Sequence, residues 1–261
     1  MDTISYNWTE DRLSPLGERG IVIRCGESLS EVVHQRVMSV CALLEKGSVT
    51  AAVEWVPSYL SVTLFYDPWI SSYEDTCGLL LQHLRQLNDE SKDLKSIGMG
   101  NSPRIVTIPV CYGGKFGPDL EYVANEHGLT VEEVIAIHSS VDYLVHMIGF
   151  APGFPYLGGL PEPIATPRRP TPRLHVEAGT VGIGGSQTGI YPITTPGGWQ
   201  CIGRTPIRLF RPETNPPSLL EAGDFVRFKP ITMQEYLELA RKEVRDEYTD
   251  HSSWLVNNRP G

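Results

Sequence analysis

Three arginines, Arg168, Arg169 and Arg173, stand in the run PRRPTPR, interleaved with Pro167, Pro170 and Pro172. Proline fixes the backbone in advance, so the guanidinium groups of Arg168 and Arg173 lose little freedom when presented to a carboxylate or phosphate. A solvated basic loop has the same composition, and both readings stand at this level. The surrounding stretch, Gly149 to Pro206, contains Arg168, Arg169, Arg173 and Arg204 against only Glu162 and Glu177, in a chain of net charge -9. A small anion is the ligand that such a local field favours.

Other residues of the stretch complete a cleft of recognisable chemistry. Phe150, Phe154, Tyr156 and Trp199 can wall it, and Trp199 follows Pro196, Gly197 and Gly198, where backbone can approach a ligand closely. Trp199 can equally be a core plug. Gln187 and Thr188 offer neutral hydrogen bonds to an amide ring, and the whole describes an apolar, aromatic site with a few polar anchors. The glycine-rich run GTVGIGGSQTG is no Walker A loop, because no Lys follows. It fails the dinucleotide pattern at Gln187 and the nucleophile-elbow pattern at Thr188. Either the successive amides of Gly182, Gly184, Gly185 and Ser186 form an anion nest, or Ser186 is a turn residue. His138 is the candidate acid/base, against the alternative of a helix C-terminal histidine held by the dipole. His138 and His146 fall on different elements without metal-ligand spacing, so no metal is expected. Cys111 and Cys201 sit in strand-like contexts and read as inert core thiols.

The elements that position these groups follow from periodicity. Gly149 to Pro206 holds 12 Gly and 10 Pro in 58 residues, too many for a long helix, so short strands joined by tight turns are expected. With RIVTIPVCY, Asp142 to Ile148, Ile207 to Phe210 and Asp224 to Phe228 as further strands, residues 104–231 predict a β-barrel or sandwich. Two short helices precede the stretch, at Pro118 to His127 and at Thr130 to His138, the second with the capping pair Thr130 and Glu133. A terminal helix, Thr232 to Tyr248, and a tail occupy 232–261. Residues 1–92 read β-α-β-β-α: strand Gly20 to Cys25, a helix with a Ser28/Glu31 capping box and Leu29, Val32, Val33, Val37, Val40, Cys41 and Leu44 inward, strands Val49 to Val56 and Tyr59 to Tyr66, and helix Tyr73 to Leu87. A fourth strand at Ser5 to Trp8 or at Arg104 to Val110 would complete a ferredoxin-like split βαβ α+β domain. Residues 93–103, polar and rich in Gly and Ser, are the expected linker. Five Cys without a CxxC pair, no signal sequence and no long apolar run point to a soluble cytoplasmic protein, and a sequence pI near 5.3 argues against nucleic acid.

The runs GFAPGFPYLGGL, the PR..PR pair and GTVGIGGSQTGIYPITTPGGWQCIGRTPIRLF, with upstream IPVCYGGKFGPDL and EEVIAIH and downstream RPETNPPSLLEAGDFVRF, resemble the family of 5-oxoprolinase B subunits, also called allophanate hydrolase subunit 1. That resemblance spans about Ile105 to Phe228. It implies a cyclophilin-like barrel and an ATP-dependent 5-oxoprolinase, active only as a complex with A and C subunits, which opens 5-oxoproline to glutamate with ATP as co-substrate. The residues it assigns to this work are Arg168 and Arg173 for charge, Gln187 and Thr188 for the amide, Phe150, Phe154, Tyr156 and Trp199 for the walls, and His138 for proton transfer. The family also includes Kip-type inhibitors of a sporulation histidine kinase, so the alternative expectation is a cleft that grips a kinase segment without chemistry.

Overall fold

The computed structural model describes residues 6–90 and 104–244. The chain divides into two compact units, Met1–Gly100 and Asn101–Gly261. The expected linker at 93–103 lies outside the described residues, as do Ser5, the last residues of the expected terminal helix and the tail.

In the first unit, β1 (Leu13–Leu16), β2 (Gly20–Arg24), β3 (Ala52–Pro57) and β4 (Ser61–Tyr66) form one antiparallel sheet in the order β1-β2-β4-β3. Helix α1 (Glu31–Glu45) joins β2 to β3, and α2 (Tyr73–Glu90) follows β4. Ile21, Ile23, Val62 and Leu64 from the central strands are sealed against Val37 and Val40 of α1 and Leu80 and Leu84 of α2. The fourth strand departs from both expected places. It is Leu13–Leu16, hairpinned onto β2 through Gly17 at φ 61°, so the ferredoxin-like order, whose last strand follows the second helix, is not completed. A hairpin costs far less loop entropy than a return across the polar stretch after α2. Trp8 is buried but lies in no strand, and Ile105–Tyr112 belongs to the second unit. Helix α1 also begins two residues later than the Ser28 box implies: the Ser30 hydroxyl accepts from Val33 N at 3.2 Å. The buried stripe therefore runs through Val33, Val37, Val40 and Leu44, and Leu29 and Val32 stay exposed.

The second unit is a closed seven-stranded barrel. Its strands are β5 (Ile105–Tyr112), β6 (Asp142–Ile148), β7 (Pro155–Gly158), β9 (Thr180–Gly184), β10 (Gln187–Ile190), β12 (Gln200–Arg204) and β13 (Phe225–Pro230), ordered β10-β7-β6-β13-β5-β12-β9. Only β5 and β13 run parallel, and a two-pronged Arg104–Asp224 ion pair (2.9 and 2.6 Å) ties the start of that ladder. β8 (Arg173–Val176) and β11 (Thr195–Gly197) make a separate two-stranded ribbon. Helix α3 (Leu120–Glu126) precedes α4 (Val131–His138), which starts at the expected Thr130/Glu133 box with both reciprocal bonds present. Helix α5 (Met233–Val244) starts at Thr232, which exchanges hydrogen bonds with Glu235.

Ile207 to Phe210 is not a strand. Thr205 Oγ1 accepts from Ile207 N and turns the chain after Pro206, leaving a single bridge between Phe210 and Ser218. Ile207 and Leu209 are nevertheless buried, which is why the segment carries a strand-like apolar pattern.

Candidate functional site

Strand alternation sends neighbouring residues to opposite faces of the barrel wall. On β9, Val181 and Ile183 enter the barrel core while Gly182 and Gly184 face out. On β10, Thr188 points in and Gly189 faces the aromatic cluster outside, where Phe154, Tyr191, Trp199 and Cys201 are buried with Val176 of the ribbon. The outward glycines form a flat bed for the indole of Trp199. A Cβ at Gly184 would lie 2.6 Å from the Trp199 ring, and one at Gly189 would lie 3.0 Å from Trp199 Cζ3.

A cavity of about 320 Å³ opens over this bed, walled by Phe150, Phe154, Tyr156, Tyr191 and Trp199, with Pro172, Pro196, Gly197 and Gly198 on its edges and Arg168 and Arg169 at its mouth. Phe154 is the hub, meeting Phe150, Tyr156, Tyr191 and Trp199 edge-on at centroid distances of 5.0–5.7 Å, a geometry favoured by the ring quadrupoles. Phe150 is the one non-glycine with positive φ (69°) among the described residues, and it is 65% exposed. Ala151 N donates to Gly149 O across it, closing a strained three-residue turn that holds the ring at the rim.

The arginines divide their work. Arg173 Nη2 and Arg169 Nη1 both donate to Oδ1 of Asp119, at 2.7 and 3.0 Å, while Asp119 Oδ2 accepts from Cys201 N at 2.7 Å. Asp119 is 4% exposed, and its hydrogen bond raises the pKa of Arg173 above the ordinary arginine value. Arg169 N also donates to Gly198 O, which ties the proline-stiffened loop to the cavity edge. Arg173 is therefore committed to Asp119 and does not line the cavity. Arg168 is exposed, makes no ion pair among the described residues, and its Cζ stands 5.9 Å from the Trp199 ring centroid. It is the guanidinium at the mouth whose hydrogen-bonding edges remain for a ligand.

Sequence reasoning missed Asp119. An Asp at the start of a helix is ordinarily read as a cap, but this one makes no capping bond with its side chain. The arginine excess of the basic stretch was the available signal, since a semi-buried cationic pair calls for a buried acid.

His138 does not belong to the cavity. Fully buried inside the barrel, it stacks on Phe228 at 4.6 Å, with Nδ1 2.8 Å from Tyr112 Oη and Nε2 2.9 Å from Thr188 Oγ1. Burial lowers its pKa to about 3, so it is a neutral core histidine shut off from solvent. Thr188 is bonded to it there and to Gly182 O at 3.0 Å, and cannot reach a ligand in the outer cavity. Gln187, beside the hairpin turn, is not among the cavity residues either.

The anion nest is also absent. Gly182 and Gly184 are spent in β pairing with β10 and β12, Gly185 N donates to Thr166 O at 2.8 Å, and Ser186 is an exposed residue at the hairpin tip. Burial pushes the Cys201 thiol up to about 11, which leaves it unreactive. Among the described residues no group of three or more His, Cys, Asp or Glu could hold a metal.

The model of the carboxyltransferase domain, subdomain C and D, matches residues 11–220, so the family likeness begins well before the barrel and takes in most of the first unit. The chain is 46% identical to the 5-oxoprolinase B subunit of Bacillus subtilis strain 168, over 86% of this chain and 95% of that protein. It is 41% identical to the 5-oxoprolinase B subunit of Escherichia coli O157:H7, over 82% and 94%. The solved structure of TTHA0988 is 36% identical with a TM-score of 0.67, covering 82% of this chain and 40% of that one. With identity at this level over nearly the full length of the relatives, the chain belongs to the carboxyltransferase subdomain C and D family, in its group of 5-oxoprolinase B subunits.

Proposed function

We propose that this protein is the B component of an ATP-dependent 5-oxoprolinase, working with A and C subunits to open the lactam of 5-oxoproline to glutamate, and that the outer cavity holds the anionic ring. The observation that carries the site assignment is the pairing of an aromatic cavity with a guanidinium, Arg168, that no carboxylate among the described residues neutralises. A five-membered lactam presents apolar edges suited to Phe154, Tyr156 and Trp199, and its carboxylate suits Arg168, with Arg169 beside it under the hold of Asp119. His138 has no part in this reading. The amides of Gly182 to Gly185 are committed within the fold and offer no cradle for ATP phosphates. The barrel is read as cyclophilin-like, and the five free cysteines support a cytosolic setting.

The test is ATP-dependent glutamate formation from 5-oxoproline by this chain with its A and C subunits, each omitted in turn. Activity that vanishes without this chain supports the reading. Activity that persists without it overturns the reading and favours the kinase-inhibitor role implied by the family resemblance. In the assembled enzyme, Arg168→Ala is expected to raise KM about ten- to a hundredfold, the worth of one charge-assisted bond. An unchanged KM would remove Arg168 from the site.

A further inference from the structure

We propose that Trp69 and Ile70 are a preformed anchor by which this protein docks onto another component of its assembly, entering an apolar pocket rimmed by Lys or Arg. This rests on the reading of the chain as one component of a multi-subunit enzyme. Trp69 is 96% exposed and Ile70 63%, the former the most exposed large apolar side chain among the described residues. The turn that carries them, between β4 and α2, is not loose. Asp67 Oδ1 accepts from Trp69 N at 2.9 Å, Asp67 O accepts from Ile70 N and Ser71 N at 3.0 and 3.2 Å, and Asp67 N donates to Ala51 O. On its far side Ser72 accepts from Asp75 N and donates to Asp75 Oδ2, starting α2. The backbone ordering that binding usually costs has therefore been met within the fold, which favours a recognition role. Val53, 68% exposed, is the bulged residue of edge strand β3 beside the Ala52–Tyr66 pair, so it adds a third apolar side chain at the same end of the sheet.

Charge selects the occupant. Around the turn the acids Glu18, Glu54, Asp67, Glu74 and Asp75 outnumber the bases Lys46 and Arg19, the latter accepting from Tyr66 N through its carbonyl at 3.0 Å. A second copy of this chain would set acid against acid, and an anionic membrane surface would be repelled in the same way. A pocket on a different protein of the assembly, apolar at its floor and cationic at its rim, matches both the indole and the field around it. Tryptophan in such a setting is among the residue types that most often carry an interface.

The experiment measures, in a calorimeter and at two salt concentrations, binding of the full-length chain to the purified A and C subunits, for wild type, Trp69→Ala, Ile70→Ser and Glu74→Lys. Trp69→Ala and Ile70→Ser should weaken binding to the same partner, the former about thirtyfold or more, while leaving the circular dichroism and melting temperature unchanged. Glu74→Lys should weaken the same complex a few-fold and flatten its salt dependence. Binding of Trp69→Ala within about twofold of wild type overturns the docking proposal while leaving the enzyme reading intact. Wild type that binds neither partner overturns both, and self-association of the chain alone that is lost in Trp69→Ala overturns it in favour of a homo-oligomer contact.

Discussion

The proton on His138 is placed by its neighbours. Thr188 has one hydroxyl hydrogen and gives it to Gly182 O, so its oxygen accepts from Nε2–H of His138, and Tyr112 donates to Nδ1. That neutral tautomer fits a histidine whose pKa is lowered to about 3 by burial. In the unfolded chain the same group titrates near 6.5, so the unfolded state binds the extra proton between those values. The stability it contributes is complete above pH ~6.5 and is lost as pH falls toward the folded value, amounting to about 2 kcal/mol at pH 5. Urea titrations should show wild type losing that stability between pH 7 and 5, and His138→Gln should show a shallower pH slope in this window. Asp119 holds a comparable place outside the barrel. Asp119→Ala leaves Arg169 and Arg173 without their carboxylate and Cys201 N without an acceptor, and should cost about 1–3 kcal/mol. It should also raise KM in the assembled enzyme, since Arg169 leaves the cavity mouth, while Asp119→Glu restores part of both losses. An Asp119→Ala enzyme with unchanged KM would reduce the residue to a purely structural role.

Among the elements, the β9–β10 hairpin explains why so glycine-rich a run is neither a phosphate loop nor a catalytic turn. Its inward residues, Val181, Ile183, Thr188 and Ile190, fill or pair within the barrel, and its outward glycines exist to let Trp199 lie flat. Gly184→Ala is expected to displace a buried indole and cost about 1–3 kcal/mol, with a shift in tryptophan emission as the cavity wall moves. Ser186→Ala, at the exposed tip, should change neither stability nor activity, and a loss of activity would show that Ser186 is more than a turn residue. The short strands and the start of α4 were legible from Gly/Pro punctuation, apolar period and the Thr130 box. The fourth strand of the first unit was not, because LSPL is only four residues long and carries Pro15, a residue that argues against a strand, and it pairs only because a hairpin brings it to β2.

For the molecule entire, each compact unit encloses its own apolar core, with Ile21, Leu64 and Leu84 in the first and Ile108, Val145 and Val226 in the second. Residues 101–261 expressed alone are therefore expected to melt cooperatively and to retain near-ultraviolet circular dichroism from the Trp199 cluster, and a featureless spectrum would refute an independent core. Everything readable before folding was local or compositional: where helices start, a strand-rich second half, a positive and aromatic stretch within an acidic chain, and motifs specific enough to point to the family. Which of those residues meet was settled in three dimensions. Thr188 and Gly189 are adjacent in sequence, yet strand alternation puts one beside His138 in a sealed interior and the other beneath Trp199. Arg168 and Arg173 look equivalent in PRRPTPR, yet Asp119, 54 residues before Arg173, takes one and leaves the other for a ligand. Contacts across such separations depend on the closure of the barrel, which no local pattern encodes.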